Sequence, residues 1–188
     1  SNGGAAQPPA STPPPAPPAE SDRPLLEGSS QIGAEAQRKK GPEKSRDDAV
    51  EAVKLDLAAA EQGIADSQYK LGLAYANGAG VPKDTVEAVK WFSKAAEQGN
   101  AKAQYNLGIA YGTGIGGVTK DAVDAAKWYR KAAEQGNAAA QNDLGAAFYN
   151  GNGVTKDAVE AVKWYRKAAE QGFATAQYNL GRAYADGV

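Results

Sequence analysis

The chain has 188 residues, with 21 Lys and Arg against 22 Asp and Glu, and a formal charge of −1. It contains no His and no Cys. The balanced charge gives no electrostatic footprint for nucleic acid. The missing side chains remove the commonest general base, the commonest metal ligands, the best nucleophile and any disulfide. No run approaches the ~18 consecutive apolar residues of a membrane-spanning helix.

In chain order, a proline-rich stretch comes first. Eight of the ten prolines lie within the first 24 residues. QPPASTPPPAPPAE has too few apolar side chains to bury and reads as an extended, polyproline-prone linker. Residues 25–46 are polar and mixed in charge, with a nascent helix at 31–40 that ends in Arg38, Lys39 and Lys40. That basic cluster reads as a solvated linker end.

From there the chain repeats itself. Similar blocks begin at Ala60, Ala96, Ala133 and Ala169. Trp91, Trp128 and Trp164 share one repeat position, and Tyr75, Tyr111, Phe148 and Tyr184 share another. Leu71-Gly72, Leu107-Gly108, Leu144-Gly145 and Leu180-Gly181 fall in register, and an extra glycine (Gly116-Gly117) lengthens the second unit. Self-similarity at such a period marks a solenoid. Each unit reads as a helix, a glycine-rich loop and a second helix.

In the first unit the helices are predicted over about 64–77 and 84–98. Asp84 with Glu87 makes a capping-box-like start, repeated by Asp121 with Asp124 and by Asp157 with Glu160. Ala88, Trp91, Phe92, Ala95 and Ala96 form the apolar face, and Gly99 stops the helix. Gly72 inside a helix costs roughly 1 kcal/mol relative to Ala. Its recurrence predicts close backbone approach between helices. Trp91 is expected in the core, where Trp91→Ala would cost about 3–5 kcal/mol.

The unit A-x-x-Q-x-x-L-G-x-A-Y, loop G-x-G-V-x-K-D, then A-x-K-W-x-x-K-A-A-E-Q-G resembles the Sel-one-like repeat (SLR), a tetratricopeptide-like α/α hairpin. The resemblance covers Asp47 to Val188. It implies an all-α, right-handed solenoid. The expected organisation is a linker at 1–46, a half repeat at 47–61, repeats at about 62–98, 99–135 and 136–171, and a half repeat at 172–188. Leu55 stands where the other units have Trp. The two half repeats suggest a piece cut from a longer array, with apolar surface at Tyr178, Leu180 and Tyr184 open to weak end-to-end self-association.

No catalytic, cofactor or metal residue is assigned. Carboxylate pairs sit at helix starts, where capping explains them. Gly112-Thr113-Gly114-Ile115-Gly116-Gly117 satisfies G-x-G-x-x-G, but a helix precedes it where a nucleotide fingerprint needs a strand. Tyr69, Tyr105 and Tyr178 suit either inter-repeat packing with surface hydroxyls or a stacking ladder for a peptide or sugar.

The two helices of a unit differ in how their polar stripes vary. The second helix keeps one pattern: Glu87, Lys90, Lys94, Glu97 recurs as Asp124, Lys127, Lys131, Glu134 and as Glu160, Lys163, Lys167, Glu170. That is a solvated face with short-range ion pairs. The first helix changes: Asp66, Lys70, Leu73, Asn77, then Lys102, Asn106, Ile109, Thr113. The third unit gives Ala139, Asp143, Ala146, Asn150 and the fourth Thr175, Asn179, Arg182, Asp186. The first helices of such proteins line a groove, so this stripe is expected to recognise a protein or peptide, with Leu73, Ile109 and Arg182 as anchors. The resemblance implies a non-enzymatic interaction scaffold without cofactor, in the bacterial periplasm or envelope and tethered to a membrane. The alternative is a peptidoglycan- or carbohydrate-binding module that uses the groove's tyrosines and asparagines.

Overall fold

The computed structural model describes residues 42–188; the proline-rich linker and the nascent helix expected at 31–40 lie outside them. Among the described residues there are eight helices and no strand. They are α1 (Pro42–Glu61), α2 (Ala65–Asn77), α3 (Thr85–Glu97), α4 (Ala101–Thr113), α5 (Ala122–Glu134), α6 (Ala138–Asn150), α7 (Ala158–Glu170) and α8 (Ala174–Ala185). Each packs on the next, most tightly within the hairpins α2–α3, α4–α5 and α6–α7. The result is an α/α solenoid in which even-numbered helices are first helices and odd-numbered ones are second helices. α1 is a second helix that begins at Pro42, ahead of the expected boundary at 47. Proline suits a first helical turn, where its missing N–H leaves no bond unmade.

Asp84 accepts hydrogen bonds from the backbone N–H groups of Val86 and Glu87, at 2.9 and 3.0 Å. Asp121 does the same for Val123 and Asp124, and Asp157 caps through Glu160 alone. Only half of the expected capping box forms. Glu87 turns to Lys90, and the Asp84 N–H donates to the carbonyl of Tyr75 instead. Asp121 reaches Tyr111 and Asp157 reaches Phe148 in the same way, so each cap also ties its hairpin shut.

The loop glycines act on the previous unit. Gly153 has φ +70°, and a Cβ there would lie 1.9 Å from the carbonyl oxygen of Ala122 at the start of α5. A Cβ on Gly80 would lie 2.5 Å from the carbonyl oxygen of Ala49 in α1, and one on Gly116 2.6 Å from that of Thr85 in α3. The G-x-G pattern is therefore a stacking device between units, and the nucleotide look-alike is an inter-helix loop.

Two expectations about the core change. A Cβ on Gly72 would come within 2.6 Å of the Phe92 ring, so the glycine makes room for a side chain rather than for backbone. Gly108 meets Tyr129 and Gly145 meets Tyr165 identically. Phe92 is fully buried, whereas Trp91 and Trp128 are half-buried and only Trp164 is buried. Neighbouring positions on a helix point about 100° apart, so the ring seated against the first-helix glycine comes from the residue after the tryptophan. Lys94 lies over the Trp91 ring at 3.9 Å, and Lys131 and Lys167 repeat the arrangement.

Candidate functional site

The outer stripe of the second helices is self-sufficient. Glu87–Lys90, Asp124–Lys127 and Glu160–Lys163 are ion pairs within one turn, at 2.5, 2.8 and 2.9 Å. The hydrogen bond that each lysine donates to its carboxylate raises that lysine's pKa. These solvated pairs recur unchanged and leave little for a partner to read.

The first-helix stripe divides. Asp66, Lys70, Lys102 and Arg182 are exposed, and Leu73 and Asn179 are half-buried. Asn106, Ile109 and Asp143 are buried, with 2–4% of their surface accessible, so they are not open recognition surface. The physical reason is contact between successive first helices. The Tyr105 hydroxyl donates to Asp143 Oδ2 at 3.1 Å, and Asn142 Nδ2 donates to Asp143 Oδ1 at 2.9 Å. Asn179 Nδ2 then donates to Asn142 Oδ1 at 2.9 Å. This polar chain links α4, α6 and α8. Ile109 lies in an apolar cluster with Tyr105, Leu144 and Trp164. Asp66 joins two units directly, since Asn100 Nδ2 donates to its Oδ1 at 2.9 Å.

The stripe's far end forms a small pocket. Ala146, Tyr149, Asn150, Tyr165, Asn179 and Arg182 surround about 90 Å³. There the Tyr149 hydroxyl donates to Asp186, and this bond holds the Tyr149 pKa above its ordinary value. A wider groove of about 700 Å³ lies on the other side of the second unit, beside Tyr111, Trp128, Arg130 and Val154. The sequence reading did not single it out.

Tyr69 and Tyr105 are buried, and their rings pack on Phe92 and Tyr129 with centroids 6.0 and 5.9 Å apart. Of the two uses open to these tyrosines, packing is the one observed. The Tyr105 hydroxyl is nevertheless inside, on Asp143, and not at the surface. Burial also raises the Tyr69 pKa.

The repeated glutamines, expected only to pack, also join successive units by hydrogen bonds. Gln68, Gln104 and Gln141 are buried, and each donates Nε2 at 3.1 Å to a carbonyl at the end of the preceding second helix. Gln98, Gln135 and Gln171 then donate to their Oε1 atoms at 2.7 Å. The signal was available, because the Gln of A-x-x-Q and the Gln of E-Q-G recur in register.

At the described ends, the ring position changes. Asp56 of α1 stands where Phe92, Tyr129 and Tyr165 stand in their helices, and Leu55 is 68% exposed. Nothing lies within 4 Å of a Cβ placed on Gly181. Among the described residues, no group of three or more Asp, Glu, His or Cys could hold a metal ion. No described helix is long and apolar enough to cross a membrane.

Stacked hairpins with a self-paired outer face and a varied first-helix face define an α/α-repeat solenoid, a fold that generally serves as a protein-interaction scaffold and is generally non-enzymatic. The Sel1 repeat model matches residues 65–100, 101–137, 138–173 and 174–188, and the chain belongs to the Sel1 repeat family. Among solved structures it is similar to a Sel1 repeat protein from Oxalobacter formigenes, at 46% identity and TM-score 0.69, over 73% of this chain and 55% of that one. It is also similar to a protective antigen present in uropathogenic Escherichia coli strains that displays an SLR fold, at 47% identity and TM-score 0.68. That match covers 71% of this chain and 28% of the antigen. Helicobacter pylori cysteine rich protein B is 27% identical, with TM-score 0.55 over 70% of this chain and 93% of that one. The chain thus spans about half of the first of these proteins and under a third of the second. No curated protein matches.

Proposed function

We propose that this chain is a protein-interaction scaffold whose partner, a protein or peptide, docks on the first-helix face. It would form the periplasmic, envelope-associated part of a larger membrane-tethered bacterial protein. The observation that carries the docking surface is the contrast between the two faces. The outer lysines are engaged within their own helices, while Lys70, Lys102 and Arg182 are exposed among neighbours that differ from unit to unit. Such a face can discriminate partners, because specificity is a difference between contacts. The envelope assignment draws on the antigen among the similar proteins and on the proline-rich spacer before the solenoid.

Affinity capture from a bacterial envelope extract tests this reading. The wild type is compared with Lys70→Glu/Lys102→Glu, a variant that leaves the buried contacts alone. A protein retained by the wild type and lost from the folded variant supports the proposal. Equal recovery by both moves the site elsewhere, and recovery of wall glycan alone replaces the protein partner with a carbohydrate.

A further inference from the structure

The groove of about 700 Å³ beside the second unit is lined by Tyr111, Val123, Trp128, Arg130, Lys131 and Val154, among others. Tyr111 and Trp128 are half-buried, so each remains partly open to water, and Val123 is 49% exposed. Asp124, also on the lining, is already paired with Lys127 at 2.8 Å. Arg130 and Lys131 lie over the Phe148 and Trp128 rings, and neither makes an ion pair with a described residue. The groove thus offers two aromatic rings, an aliphatic wall and two cations without a counter-charge.

Of the three units that carry a tryptophan, the second alone combines these features. In the first, Trp91 is also half-buried, but Ser93 occupies the position of Arg130. In the third, Trp164 is buried, and Arg166 donates to the Tyr184 hydroxyl at 2.6 Å.

The chain itself holds a segment that matches this surface. Residues 8–18 read PPASTPPPAPP, and the first charges after them are Glu20 and Asp22. Proline-rich sequence favours the polyproline II helix, which loses little freedom on binding and docks in aromatic-lined grooves. We propose that residues 8–18 dock along this groove within the same molecule, with prolines against Tyr111 and Trp128, and Glu20 and Asp22 toward Arg130 and Lys131. Arg23 offsets one of these acidic charges, and exposed ion pairs contribute little. The proline–aromatic contact therefore carries the docking.

The chain is long enough to reach. α1 starts on the loop edge of the solenoid, because Gly80 of the first loop packs over Ala49 near its start. Gly153 and Val154 place the groove on that same edge. α5 is four packed helices on from α1, up to ~40 Å at ~10 Å per step. The 24 residues from Pro18 to Pro42 span up to ~80 Å. A tethered segment whose linker spans the sites has an effective concentration in the millimolar range, so even a weak contact is occupied. The segment would cover the outer groove and leave the first-helix face to partners.

The chain has no cysteine, so Ser21→Cys carries a single nitroxide label without removing a proline. The test is paramagnetic broadening of amide NMR signals in the full chain, against the reduced, diamagnetic form of the same sample. A segment that is tethered but undocked broadens α1 most, and α3 more than α5. Docking is expected to cost Val123, Trp128 and Val154 at least half of their intensity, and Val86 and Trp91, nearer to Pro42, less. Pro13→Gly/Pro14→Gly/Pro15→Gly leaves every solenoid residue in place and is expected to reduce the loss at α5 at least twofold. Broadening that merely declines from α1, or a loss at α5 that is unchanged in the triple variant, overturns the proposal. Equal broadening of α5 when nitroxide-labelled copies are mixed with unlabelled, isotope-enriched copies also overturns it, because the occupant is then a second chain.

Discussion

Alanine at Gly72 and alanine at Gly181 are the same substitution at the same repeat position, and they should act in opposite directions. At Gly72 the new methyl would sit 2.6 Å from two carbons of Phe92 and 3.2 Å from the Ala88 carbonyl oxygen. Phe92 is fully buried and has nowhere to retreat. Overpacking of this kind costs about 1–3 kcal/mol, and a contact this short belongs in the upper half of that range. Alanine also gains about 1 kcal/mol of helix propensity over glycine. The net expectation is a loss of about 1–2 kcal/mol. At Gly181 no atom lies within 4 Å of the new methyl, so only the propensity gain remains, up to about 1 kcal/mol. Urea unfolding followed by circular dichroism measures both against the wild type. Equal destabilisation by the two variants, or stabilisation by Gly72→Ala, would refute the claim that the repeated glycine exists to admit the ring.

Phe92→Ala should cost about 3–5 kcal/mol and Trp91→Ala distinctly less, because water reaches the half-buried indole site and no sealed cavity forms; unfolding midpoints of the two variants compare them. Gln104→Ala breaks the bonds to Ala96 and Gln135 and should cost about 1–3 kcal/mol, whereas Gln177→Ala, which loses only an exposed 3.3 Å bond to the Ala169 carbonyl, should move the midpoint far less in the same denaturation assay. End-to-end stacking of copies would seat α1 on α8 and bring Asp56 against Gly181, where a ring belongs. The wild type should therefore sediment as a monomer, and Asp56→Tyr should show concentration-dependent association; strong association of the wild type would mean that the polar residue is no barrier.

The helices were legible because periodicity, caps and glycine stops agree. The predicted second helix over 84–98 is observed as Thr85–Glu97 with Asp84 as its cap. The Trp91 misreading has a local cause. Trp91 and Phe92 are adjacent and both apolar, and only the position of Gly72 across the hairpin decides which ring is buried. The stripe was harder. Variation at Asn106 and Asp143 resembled freedom from packing, yet Asp143 answers Tyr105 and Asn142 answers Asn179. A buried position can vary when a polar side chain of the neighbouring unit satisfies it, and that pairing depends on how successive first helices meet. The exposed part of the stripe, Asp66, Lys70, Lys102 and Arg182, consists of charged residues whose chemistry already favoured water.

The central claim is that the two faces of the solenoid have different jobs, and calorimetry on the captured partner tests it most directly. Affinity is measured for the wild type, for Lys70→Glu/Lys102→Glu on the first-helix face, and for Lys90→Glu/Lys127→Glu/Lys163→Glu on the outer face. The account predicts at least a tenfold loss of affinity in the first variant and wild-type binding in the second. Loss in the outer-face variant with binding intact in the first would contradict it.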